Sequence, residues 1–199
     1  MPQLIKPENT PQLLREDLLR KLEAKNLLLN DPRFPFYVVG IRGYYKRSMG
    51  DPSRNDRGVY DDAIFIVSPS AYVTYNANTD PSKVRKGVGK GNLKGMARLK
   101  SGLYFTHKFD KHRGKYEALC QRLSDVTVIR DGVNGDYEDS GMFGVNIHKG
   151  GLSSTNSLGC QTIYPEQWIS FIQTAKMEAQ RYYGSAWREG PIPYILIEE

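Results

Sequence analysis

The sequence predicts a mainly β (α+β) single domain with an N-terminal helical arm and two further helices. Three observations predict it. Beyond Pro35 the chain breaks into short runs rich in Tyr, Val, Ile and Phe, separated by Gly, Asn, Asp and Pro clusters, which is how strands and turns read. Apolar residues at helical spacing are confined to a few segments. The 199 residues, 39% hydrophobic and 25% charged, suit one core held by packing. The expected division is an arm over 1–34 and a domain over 35–199.

In the arm, Thr10 followed by Pro11 reads as a helix start, because a hydroxyl can cap orphan amides and a proline at the first helical position loses no needed donor. Leu14, Leu18 and Leu22 recur at helical spacing with Leu19 beside them. "NDPRFP" from Asn30 to Pro35 is expected to end the helix, since a proline pushes the residue before it out of the helical region. Strands are expected at 36–45, 63–69, 71–77, 102–109, 126–132, 144–148 and 194–198. The stretch "RGKYEALCQRL" over 113–123 is compatible with helix, its apolar face formed by Tyr116, Leu119, Cys120 and Leu123. A last helix is expected to open just downstream of Cys160, with Pro165 and Glu166 in its first turn. Trp168, Phe171, Ile172, Ala175 and Ala179 would share one face, and Gly184 would end it.

A net charge of +6 favours an anionic partner. The charge is uneven. From Lys83 to Lys115 eleven Lys and Arg face the single acid Asp110, a net of +10, while Asp125 to Asp139 carries −4. The N-terminus has neither a basic nor an apolar signal-like region, so synthesis in the cytoplasm without a signal peptide is expected, and no run is long and apolar enough to span a membrane. Two cysteines, Cys120 and Cys160, do not make a disulfide scaffold. No closely spaced Cys or His pair announces a structural metal, so neither metal nor cofactor is expected. "GVGKGNLKG" (87–95) lacks the Gly-Lys-Ser/Thr ending of a phosphate loop and reads as a flexible, lysine-rich loop. "SMGDPSRNDRG" (48–58) reads as a polar loop.

The stretch "GVNIHKGGLSSTNSLGCQ" (144–161) brings together one of three histidines and one of two cysteines. A thiol attacks carbonyls only as thiolate, so it needs a neighbouring base or a positive dipole. His148 ends a predicted strand twelve residues upstream, and a flexible loop can return to it. Gly159 lets the backbone come close, and the amides of Gly159 and Cys160 are candidates for holding a developing oxyanion. The competing reading of Cys160 is a small buried hydrophobe. Cys120 is read as core. His107 and His112 are read as satisfied or exposed, with His112 a minor candidate for the cleft.

"NIHKGG" and "SLGCQT" resemble the catalytic elements of the L,D-transpeptidases, the YkuD-like family, and "LKSGLYF" resembles more weakly the family's glycine turn at the start of a strand. The resemblance covers about 40 residues, 141–180. It departs from the family at Leu158, where a second histidine is usual, at Thr162, where an arginine is usual, and in a shorter His-to-Cys loop. Compact chains with these elements resemble phage-encoded members.

The resemblance implies an L,D-transpeptidase-like β-rich fold and cysteine chemistry on peptidoglycan stem peptides. Cys160 would be the nucleophile, His148 the base and Gly159 part of the catalytic turn, with Ser157, Asn156, Gln161 and Gly150 lining the substrate. The second nitrogen of His148 needs a partner, for which Ser153, Ser154, a loop carbonyl and Asp139 are candidates. The partner would be a peptidoglycan peptide or an anionic wall polymer, met after release from the cell or from within a virion. Two other classes compete. The basic segment and 13 tyrosines suit a nucleic-acid-binding module, although no recognised nucleic-acid motif is present and His148 and Cys160 would then be idle. A catalytically inactive wall-binding or virion protein is the other.

Overall fold

The computed structural model describes residues 7–49, 51, 53, 56–88 and 94–199. Residues 89–93 of the lysine-rich stretch 87–95 and parts of the polar loop 48–58 lie outside them. The described chain is mainly β. Its strands are β1 (Tyr37–Arg42), β2 (Asp62–Val67), β3 (Tyr72–Asn78), β4 (Ala97–Leu99), β5 (Gly102–His112), β6 (Tyr116–Gln121), β7 (Val126–Arg130), β8 (Tyr137–Gly141), β9 (Ile147–Lys149), β10 (Gln161–Ile163) and β11 (Ile192–Glu198), with helices α1 (Arg15–Ala24) and α2 (Trp168–Tyr183). Eight strands close a barrel in the order β1-β11-β5-β6-β9-β10-β3-β2, and β4-β7-β8 form a separate small sheet. Among the described residues no helix is long and apolar enough to cross a membrane.

Strand alternation divides the core in two. On β1, β2 and β11, one set of residues (Val38, Ile64, Ile66, Tyr194 and Leu196) joins a cluster with Ile147, Ile163, Trp168 and Phe171. The alternate set (Val39, Ile41, Ala63, Phe65, Ile195 and Ile197) packs with Leu18 and Leu22 of α1. Buried on both faces, these strands read as continuous apolar runs rather than alternating ones. The arm thus docks on its own barrel.

α1 differs from its sequence reading at both ends. It starts at Arg15, and no side chain caps it. The Tyr44 hydroxyl takes the N–H groups of Gln12 and Leu13, both at 3.1 Å, and the Tyr72 hydroxyl donates to the Leu13 carbonyl at 2.8 Å, so residues before Leu14 are held extended and Thr10 caps nothing. It stops before the prolines. Asn26 at φ 55 turns the chain, with the Leu27 N–H on the Leu22 carbonyl (2.8 Å) and the Asn26 N–H on the Glu23 carbonyl (2.9 Å), an asparagine version of the usual glycine helix stop.

The helix expected over 113–123 is instead the turn and second strand of a β5–β6 hairpin. Arg113 (φ 50) and Gly114 (φ 71) both take positive φ, the condition that lets a tight turn match the twist of its strands. β6 then pairs with β5 from His112↔Tyr116 to His107↔Gln121. No helix opens directly after Cys160 either. β10 intervenes, parallel to β9 and antiparallel to β3, followed by a 3-10 turn at Pro165–Gln167 and then α2. Gly184, at φ 56, ends α2 at the expected place.

Candidate active site

The site forms where β9 and β10 run side by side. Gln161 pairs with Ile147 and Thr162 with His148, so Cys160 falls beside Asn146. Parallel partners point the same way, which sets Cys160 and His148 on one face, a pleat of about 7 Å apart along the strand. The Asn146 N–H lies 3.4 Å from Cys160 Sγ, and the thiol donates to the Gly144 carbonyl at 3.5 Å. Among the described residues no hydrogen bond joins Sγ to the His148 ring.

His148 is oriented by its own strand. Nδ1 sits 2.8 Å from the Lys149 carbonyl, which can only accept, so Nδ1 carries the proton. The place expected for Ser153, Ser154, a loop carbonyl or Asp139 is taken by this carbonyl of β9 itself, with the Tyr116 hydroxyl 3.4 Å away. Asp139 is occupied elsewhere, by Lys94 and Arg130. Nε2 of His148 is then the lone-pair nitrogen. It has no hydrogen-bond partner among the described residues and is not sealed off, and the ring lines a cleft of about 650 Å³.

His112 stacks on His148, ring centroids 4.1 Å apart and planes at 24°. The Asn146 Oδ1 accepts the Gln121 N–H at 2.9 Å, which leaves its Nδ2 as the donor to His112 Nδ1 at 3.0 Å. Asn146 therefore holds the sulfur with its backbone and the second histidine with its side chain. Sequence reading gave Asn146, Arg113 and Tyr116 no role at the site. The signal for Arg113 and Tyr116 was the Arg113-Gly114 turn, which identifies a hairpin and brings them to the cleft with His112, whereas Asn146 carried no local signal.

The remaining predicted site residues divide by where their polar atoms go. Ser157 closes the turn before the cysteine, its hydroxyl donating to the Cys160 carbonyl at 2.7 Å and accepting the Gly159 N–H at 3.1 Å. That occupies the Gly159 amide, so it is not free for an oxyanion. The Cys160 N–H has no backbone acceptor among the described residues. Gly159, at φ 149, passes so close to the Ala97 carbonyl that a Cβ would collide with it. Gln161 is fully buried and points into the barrel, accepting from the Tyr194 hydroxyl at 3.0 Å and donating to the Gly159 carbonyl at 3.2 Å, out of reach of a substrate. Gly150 is packed against the Tyr60 hydroxyl and donates to the Ile163 carbonyl at 2.9 Å. Asn156 is exposed and lines the His148 cleft.

Cys160 lines a second cleft of about 360 Å³, bordered by Arg85, Lys94, Arg130 and Phe143. Leu158, 58% exposed, borders both clefts. Burial pushes the Cys160 thiol up, with the Asn146 N–H and the Arg113 charge pulling the other way. Burial, then His112, brings His148 down to about 4, partly offset by the Lys149 carbonyl. At neutral pH both groups are therefore uncharged. Cys120 is buried, its thiol pushed up to about 11 by burial and donating to the Asp110 carbonyl at 3.6 Å, while His107 is buried with Nε2 2.8 Å from the Val145 carbonyl. Both cysteines are free, and no group of three or more metal-ligating side chains occurs among the described residues.

No family model, no curated protein and no solved structure matches the chain.

Proposed function

We propose that the protein is a cysteine-dependent enzyme acting on peptidoglycan stem peptides, an L,D-transpeptidase or L,D-peptidase working through a Cys-His thioester. We read 35–199 as an L,D-transpeptidase-like catalytic domain and 1–34 as its helical arm. The observation that carries this reading is the state of His148. Its Nδ1–H is committed to the Lys149 carbonyl, its Nε2 lone pair is open to a cleft, and a thiol held by the Asn146 N–H lies one pleat away on the same face.

In this mechanism the thiol turns from the Gly144 carbonyl toward Nε2. Sulfur bonds to the peptide carbonyl carbon as the S–H proton passes to His148, and the Cys160 N–H faces the oxyanion. The C–N bond then breaks, and the amine leaves with the proton from Nε2. An amine or a water, deprotonated by the same nitrogen, attacks the thioester and restores the thiol. Because the resting pair is neutral, proton transfer accompanies attack and no thiolate is stored beforehand. The thiol's present bond to Gly144 favours a second reading, a wall-binding protein without catalysis.

One experiment separates the two. Purified sacculi are incubated with the protein and with Cys160→Ala, and the muropeptides are identified by mass spectrometry. New crosslinks or shortened stems that vanish with Cys160→Ala support the enzyme. Binding without any new product overturns it.

A further inference from the structure

The two clefts beside the thiol differ in what their cations are doing. On the Cys160 side, Arg130 and Lys94 both hold Asp139, at 2.5 and 2.8 Å, and both lie over the Phe143 ring. Those two charges are committed to structure, and Arg85 is the cation on this cleft that makes no ion pair among the described residues. On the His148 side, Lys83, Arg113, Lys115 and Lys149 border the cleft, and none makes an ion pair among the described residues. Of these four, Arg113 sits within the tight turn of a β-hairpin, closed by the Lys115 N–H on the His112 carbonyl at 2.9 Å. Its charge acts on His112, His148, Tyr116 and Cys160, and it borders the same cleft as the first three.

The residue before it supplies a second donor. Since Nδ1 of His112 accepts from Asn146, its Nε2 carries the proton. That N–H has no partner among the described residues, and His112 lines the cleft. A guanidinium and an imidazole N–H on adjacent residues, both unpaired and both bordering one cleft, form a site for a planar, singly charged group with two oxygens.

We propose that the β5–β6 hairpin tip is an anion site, in which Arg113 and the Nε2–H of His112 hold a carboxylate of the bound substrate beside His148. The specificity this adds rests on the proposed function, but the anion site itself does not. It selects an acyl donor or acceptor with a free carboxylate near the reacting bond. A carboxylate there also stabilises the imidazolium that His148 must become, so the substrate supplies negative charge that the residues lining the cleft do not.

Cys160 is its own reporter. Iodoacetate and iodoacetamide alkylate the same thiol and differ in that only the first carries a carboxylate, so the ratio of their rates at Cys160 cancels changes in thiol reactivity. The ratio is measured for the full chain, for Arg113→Asn, which keeps a residue tolerant of positive φ, for Arg113→Lys, and for Arg85→Gln on the other cleft, with circular dichroism confirming each fold. The expected result is a fall of about fivefold in Arg113→Asn, the scale of one charge interaction in a partly screened cleft, a smaller fall in Arg113→Lys, and little change in Arg85→Gln. A ratio in Arg113→Asn within about twofold of the parent, or an equal fall in Arg85→Gln, overturns the proposal. Should iodoacetamide fail to label Cys160 at all, the catalytic reading fails by itself. The anion site is then judged by titrating sodium acetate against the histidine ring-proton resonances, where saturable shifts at His112 and His148 that disappear in Arg113→Asn support it and their absence overturns it.

Discussion

Two regions of this barrel bury polar groups in opposite ways. At one end of β1 and β2, Arg42, Asp62 and Asp80 are fully or nearly fully enclosed. Arg42 Nε lies 3.2 Å from Asp80 Oδ1, and its terminal nitrogens donate to the Leu99 and Thr79 carbonyls at 3.0 and 2.8 Å. Asp62 takes the Gly43 N–H at 2.6 Å and both donors of Thr79, at 2.5 and 2.8 Å. At the β9–β10 seam the buried groups are a thiol and two imidazoles, all uncharged, and two ring nitrogens remain open to a cleft. In the first arrangement Arg42 and Asp62 hold strands and loops together, and groups there without a hydrogen bond among the described residues, such as both oxygens of Asp61, are buried. In the second the unbonded nitrogens face a cleft, and unbonded groups that a substrate can reach are what chemistry needs.

That contrast predicts opposite outcomes for two substitutions. His148→Gln removes the base and is expected to lower turnover, or the neutral-pH alkylation of Cys160, by about 10²- to 10⁴-fold for turnover, with the unfolding midpoint close to the parent. Arg42→Met strips two carbonyls of their donors and removes the guanidinium facing Asp80, and is expected to cost about 3–5 kcal/mol in urea unfolding. The fraction that remains folded should still label at Cys160. A His148 variant that unfolds, or an Arg42 variant that is stable but unreactive, would erase the distinction.

The two regions also pull stability in opposite directions with pH. Burial, and after it the charge of a neighbouring aspartate, raises the carboxyl of Asp61 far above the carboxylate range, and Asp62 moves the same way. Their folded forms bind protons more tightly than the unfolded chain, so their stabilising contribution is complete near pH 4 and is lost as pH rises from there toward neutrality and beyond. His107 and His148 are each lowered to about 4 by burial, so the unfolded chain takes up protons first and stability is lost as pH falls from about 6.5 toward 4. Asp61→Asn is expected to gain on the order of 1–3 kcal/mol over the parent at pH 8.5 and nothing at pH 4, read from thermal unfolding at the two values. Equal effects at both would show that Asp61 titrates normally.

How much of this was legible in the sequence follows from which interactions are local. β1, β2, β3 and β11 announce themselves because their β-branched and aromatic runs are buried on one or both sides, whatever their partners. Cys160 and His148 stood out because few other residues could do their chemistry. β10 is three residues long and exists only because β9 and β3 flank it, so no local pattern marks it. "YEALCQRL" suits a helix by propensity, and only pairing with β5, a tertiary effect, makes it a strand. The start of α1 is set by Tyr44 and Tyr72, distant in sequence, which overrode a sound capping pattern at Thr10. Arg113 was missed, and His112 was only a minor candidate, for the same reason, since their place at the site depends on the hairpin and not on the residues alone.

The smallest expected effect tests whether the neutral network is tuned or merely packed. His112→Phe keeps a flat ring against His148 but leaves the Asn146 Nδ2 donor without its acceptor, a loss of about 1 kcal/mol in unfolding. It also removes the nearby group whose charge disfavours protonation of His148. The His148 titration midpoint, followed by its ring-proton resonance, should therefore rise from about 4 while staying below the ordinary histidine value, because burial still acts first. An unmoved midpoint would mean that the stack contributes packing alone, and that the proton affinity of His148 is set by its enclosure without its neighbour.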